Sequence, residues 1–157
     1  MNTEGKLALI EQFENLSSAF DDTLTLERDM LLFRPNSDAW SIIEQVVHCV
    51  DFDVANFHRY RWGIVAPGTT VLSFDGTWTS VLEYQASELP LAINTIKAVR
   101  TFMASHLRHI AQSDWSKYLY NLPGGKSFNL EEALQHFINH VGFHRELIDR
   151  NIKLFTK

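Results

Sequence analysis

Apolar residues recur at steps of three and four through most of this 157-residue chain, a rhythm that fits packed helices and little else. From Lys6 to Leu32 the series Leu7, Ile10, Phe13, Leu16, Phe20, Leu24 and Met30 predicts one long helix, uninterrupted by Pro or Gly. Phe33 to Asp38 reads as a turn, because Pro35 biases Arg34 away from helix and Asn36, Ser37 and Asp38 favour local side-chain bonds. Its shortness makes the first two helices antiparallel neighbours. Ser41 with Glu44 three residues on has the form of a capping box, opening a second helix that runs to about Trp62 and stops at Gly63.

Between Gly63 and Trp78 the composition turns to Gly, Pro, Thr and Ser, predicting a crossover loop of the length that often serves as a lid. Pro90 either sits in the first turn of a third helix, with Leu91, Ile93, Ile96, Val99, Phe102, Met103 and Leu107 apolar, or kinks it from a short helix over Thr79–Glu88. A loop broken by Pro123, Gly124 and Gly125 follows. The fourth helix starts at Asn129, capped with Glu132, and continues to about Leu154. The expected fold is all-α: a four-helix bundle, one domain over 1–157, with a long connection between helices 2 and 3.

Composition closes off several functions. A net charge of −5 offers no electrostatic footprint for nucleic acid. No apolar run of eighteen residues predicts a membrane span, and Met1 to Lys6 lacks the features of a secretory leader. Cys49 is the only cysteine, which excludes an internal disulfide and fits a reduced, cytoplasmic protein.

His136, His140 and His144 stand four residues apart on one stripe of the fourth helix, and two imidazoles one turn apart can close on one metal ion. His48, amid core-like Val47 and Val50, is the partner a bundle site needs from a facing helix. Three neutral imidazoles would suit Zn, Ni, Fe or Cu and leave a position for water or substrate. The plainer reading of the same residues is a set of satisfied core or surface histidines, and spacing alone leaves both standing. His136 is a candidate donor behind the ligands, and so are Glu44 and Asp51, one turn before and three residues after His48. Glu44 already has a role as cap partner, and Asp51 has one as a solvated helix residue. Helix-end dipole compensation explains His106 and His109, His58 lies too far along its helix to share an ion, and Cys49 points away from His48.

The stretch Trp40-Ser-Ile-Ile-Glu-Gln-Val-Val-His48-Cys-Val-Asp51 resembles the second-helix signature of the DinB/YfiT-like metalloenzymes. Asn139-His140-Val-Gly-Phe-His144-Arg145-Glu-Leu-Ile148 is similar to that family's Asn-His-x-x-x-His-Arg-Gly-Gln-Ile segment, with Glu146-Leu147 in place of Gly-Gln. The resemblance implies metal ligation by His48, His140 and His144, a divalent transition ion with Zn or Ni first, and a homodimer. It also implies transfer of a low-molecular-weight thiol to a small electrophilic substrate. A metal-dependent hydrolase and a non-enzymatic metal- or ligand-binding stress protein are the alternatives.

Overall fold

The computed structural model describes residues 1–73 and 75–157; residue 74, inside the expected crossover loop, lies outside them. Four long helices, α1 (Thr3–Asn15), α3 (Ile42–Val65), α5 (Leu89–His109) and α6 (Leu130–Phe155), form the bundle. Short helices α2 (Arg28–Leu32) and α4 (Trp78–Val81) sit in its connections, with a hairpin of β1 (Leu119–Asn121) and β2 (Ser127–Asn129) before α6.

Both expected capping boxes are present. Glu44 accepts from the Ser41 amide at 2.8 Å, and Glu132 accepts from the Asn129 amide at 2.9 Å. Pro90 occupies the first turn of α5, which settles its role as a start rather than a kink. The expected short helix before it reduces to α4 and a 3-10 turn at Tyr84–Ala86, separated by Glu83 in the left-handed region at φ 49°.

Four expectations fail for identifiable reasons. The first helix ends at Asn15 instead of Leu32, followed by 3-10 turns at Leu16–Ser18 and Asp21–Thr25 and then α2. There Ser18, Thr23 and Thr25 hydroxyls donate to carbonyls three residues back, offering the backbone an alternative to helix. Gly63 does not stop α3; it lets the helix run on beside β1, where a Cβ would lie 3.2 Å from the Leu119 carbonyl carbon. The Pro123-Gly-Gly loop is the tip of a hairpin, pairing Tyr120 with Phe128, with Gly124 and Gly125 at φ +89° and +87°.

Helices α1 and α3 are not neighbours either. Each packs against α5 and α6, so the two occupy opposite corners of the bundle. Contacts fix the directions: Gln45 meets His144 and Phe52 meets His136, so α3 and α6 are antiparallel. Asp53 meets Arg100 and Tyr60 meets His106, so α3 and α5 are parallel. A parallel pair needs its connection to return the length of α3, about 36 Å for 24 residues. Residues 66–73 and 75–88 lie along that return, touching Arg59 through the Leu72 carbonyl, then Asp51 through Tyr84 and Glu44 through Gln85.

The core divides into two apolar clusters, one around Phe13, Phe52, Leu107, Trp115 and Phe137, the other around Phe20, Ile43, Val46, Ile93 and Val141. Where they meet, Arg100 and Asp53 are buried in a bidentate pair at 2.6 and 2.8 Å, and Arg100 also donates to the Phe13 carbonyl at 3.2 Å. Asp53→Leu alone strands the guanidinium and is expected to cost about 3–5 kcal/mol, whereas the double variant Asp53→Leu/Arg100→Met recovers most of it. Urea unfolding of the three proteins checks this.

Candidate metal centre

The antiparallel register of α3 and α6 brings His48 level with the turn of α6 that carries His140 and His144. His140 Nε2 lies 3.3 Å from His48 Nε2 and 3.2 Å from His144 Nε2. One nitrogen from each ring falls within 4.8 Å of the others. With metal–nitrogen bonds of about 2.0–2.1 Å, the edge of a tetrahedron is roughly 3.3–3.4 Å, so two of the three separations already match a shared ion. Hydrogen bonding among the rings does not account for both contacts. A single in-plane site on His140 Nε2 serves one neighbour, as donor or as acceptor.

Each ring is held differently. His144, nearly buried, directs Nδ1 at the side-chain oxygen of Gln45, which is itself 2% exposed. An amide oxygen only accepts, so Nδ1 carries the proton and Nε2 keeps its lone pair toward the cluster. His140 is fixed by stacking on Phe52, centroids 3.5 Å apart and planes within 4°, and its buried Nδ1 has no hydrogen-bond partner among the described residues. Trp40 packs against His48 at 4.9 Å and lies parallel to His144 at 6.2 Å. The indole in turn meets the crossover, where a Cβ on Gly76 would come within 3.0 Å of it.

Burial sets the protonation. It holds His140 down to about 2, with the neighbouring histidines and Arg100 adding to the effect, and His144 down to about 3, with His48 adding. His48 is lowered by burial and partly offset by Asp51. Three neutral imidazoles with converging lone pairs form a donor set suited to a divalent transition ion.

The remaining candidates divide. His136 stands apart from the cluster, with its ring stacked on Phe128 of the hairpin at 5.2 Å and edge-on to Phe52 at 5.5 Å, a packing role. Glu44 is spent on the Ser41 amide and hydroxyl and on Arg34. Asp51 accepts from the Tyr84 hydroxyl and acts on His48 through its field. Gln45, which orients His144, was not among the expected residues. Its one sequence signal is a polar side chain three positions before His48, on the same inward face.

In front of His48 and His144 opens a cleft of about 410 Å³, also lined by Trp40, Gln45, Phe143, Leu147, Arg150 and Asp38. A second hollow of about 370 Å³ is no rival as the reaction site, because it lies by Arg59 and Trp62 at the far end of α3.

The sequence profile of the DinB superfamily matches residues 9–148. The chain belongs to the DinB superfamily. Among solved structures it is similar to YfiT from Bacillus subtilis, a probable metal-dependent hydrolase with an unusual four-helix bundle topology. The TM-score is 0.87 at 14% identity, over 98% of this chain and 89% of that one, a likeness of fold. No curated protein matches the sequence. Among the described residues of this DinB-superfamily chain, no helix is long and apolar enough to cross a membrane.

The depressed histidines make metal-free stability depend on pH. The unfolded imidazoles titrate near 6.5, while His140 and His144 stay neutral in the fold to about 2 and about 3. Between those limits the unfolded chain binds more protons, so stability present above pH 6.5 drains away as pH falls toward 3. His140→Gln is expected to flatten that slope, read from urea midpoints between pH 7 and 4.

Proposed function

We propose that this chain is a mononuclear metal-dependent enzyme that joins a low-molecular-weight thiol to a small electrophile. The observation that carries the reading is the convergence of the His48, His140 and His144 Nε2 atoms beside a cleft large enough for a small molecule. His48, His140 and His144 would hold a divalent transition ion, Zn or Ni first, which would supply Lewis acidity toward a thiol or water nucleophile. The chain's own groups supply the rest: Gln45 holds His144 in the ligating tautomer, Phe52 fixes the plane of His140, and Trp40 walls the cleft.

Proton inventory favours the thiol. Glu44 and Asp51 are both committed to other partners, leaving Asp38 at the rim as the carboxylate that lines the cleft. A thiol with a pKa near 8.5 starts far closer to ionisation than water at 15.7, so it depends less on the ion, which would bring bound water to about 7. Hydrolysis is the second reading, favoured by the likeness to YfiT, and it would draw on Asp38 as base. The expected single domain and homodimer belong to the same proposal, and sedimentation equilibrium tests the dimer.

Protein purified without a nickel column is expected to bind one equivalent of zinc by calorimetry. His48→Ala, His140→Ala and His144→Ala each lose measurable binding, His136→Ala retains it, and Gln45→Leu weakens it by about 10–100-fold. Wild-type affinity in His140→Ala would overturn the site. Incubation with thiols and with epoxide or chlorinated electrophiles separates the chemistries: transfer consumes both reactants, hydrolysis the electrophile alone, and a binding protein neither.

A further inference from the structure

The cleft before the histidines has a built polar end. Phe143, Leu147 and Arg150 fall at i, i+4 and i+7 on α6, one stripe of the helix along the cleft wall. Across from them stands Trp40, held parallel to His144. Arg150 is exposed but not loose. Its Nε and Nη2 donate to the Asn151 side-chain oxygen at 3.3 and 3.0 Å, and the fully buried Asn151 donates through Nδ2 to the Trp40 carbonyl at 2.8 Å. The guanidinium is thus tethered through one buried amide to the opposite wall, which lowers the ordering cost of binding. Those two bonds use two of its five donors; no other partner is found for the rest among the described residues.

We propose that this cleft selects a small organic monocarboxylate with an apolar body. The carboxylate binds the guanidinium of Arg150, the body lies on Trp40, Phe143 and Leu147, and the reacting group points to His48 and His144. This rests on the reading of the three histidines as the reaction centre. Arg150 lies six positions on from His144, about 9 Å of helical rise, so the acid group sits well away from the reacting atom. Planar bidentate pairing with carboxylate is what guanidinium does best. Asp38, exposed on the same rim, opposes each added negative charge, and among the described residues Arg150 is the one cation lining the cleft to offset it, so a single carboxylate is favoured over two.

The test titrates 4-phenylbutyrate and its uncharged amide into the full-length chain by calorimetry, metal-free and zinc-loaded. The acid is expected to bind about tenfold more tightly than the amide, the size of one charge-assisted contact. Arg150→Met erases that preference with the amide unchanged, and Arg150→Lys keeps part of it. Equal binding of acid and amide, no binding of either, or an acid preference that survives in Arg150→Met overturns the proposal. Should the Met variant melt early, Arg150→Gln replaces it under the same criteria. Zinc titration of the same proteins separates the two readings. Zinc binding without an acid preference defeats this proposal alone, and an acid preference without zinc binding defeats the metal centre alone.

Discussion

Burying a guanidinium and a carboxylate at the middle of a helical bundle is costly unless both are fully matched, and Arg100 and Asp53 meet that condition with two mutual bonds and a third to the Phe13 carbonyl. Those three contacts tie α1, α3 and α5 at one level. An apolar layer tolerates sliding by a methyl group or two; this layer does not. Phe52, next to Asp53 on α3, is the face on which His140 stacks. The ion pair therefore anchors α3 within about 7.5 Å of helical rise of His48, and Phe52 beside it carries that anchor to α6 through His140.

From there the centre is assembled by means that differ ring by ring. A hydrogen bond orients His144, a stacked phenyl ring orients His140, and an indole backs His48. The crossover contributes from outside: Gly76 closes on Trp40, and Tyr84 anchors to Asp51. The two carboxylates nearest His48 in sequence thus stabilise the scaffold, Glu44 as cap and Asp51 as the anchor for Tyr84.

What the sequence made legible was what short-range chemistry determines. Ser41 with Glu44 and Asn129 with Glu132 mark helix starts because their bonds span three residues, and Pro90 fits a first turn for the same kind of reason. Spacing of four and an apolar setting made His48 and the stripe of His136, His140 and His144 legible as candidates, because both bear on one helix at a time; the choice of His48, His140 and His144 among them came from the family resemblance. The break after Asn15 was not, since the apolar rhythm continues through Phe20 while the hydroxyls that end the helix leave no mark on periodicity. Nor was the diagonal placement of α1 and α3, which depends on the whole bundle. Gln45 escaped notice because an amide on a helix acquires its meaning only from the ring 99 residues away that it touches.

The parallel course of α3 and α5 shapes how this molecule reaches its native state. In an up-and-down bundle each helix docks on its predecessor, and most contacts close early over short loops. Here α1 must wait for α5 and α6, and α5 can settle beside α3 only after the chain has doubled back along it. Such long-range closures raise the mean sequence separation of native contacts, the quantity that slows the search for a compact state. The arrangement that brings three imidazoles together thus slows acquisition of the fold relative to a simple helical hairpin stack.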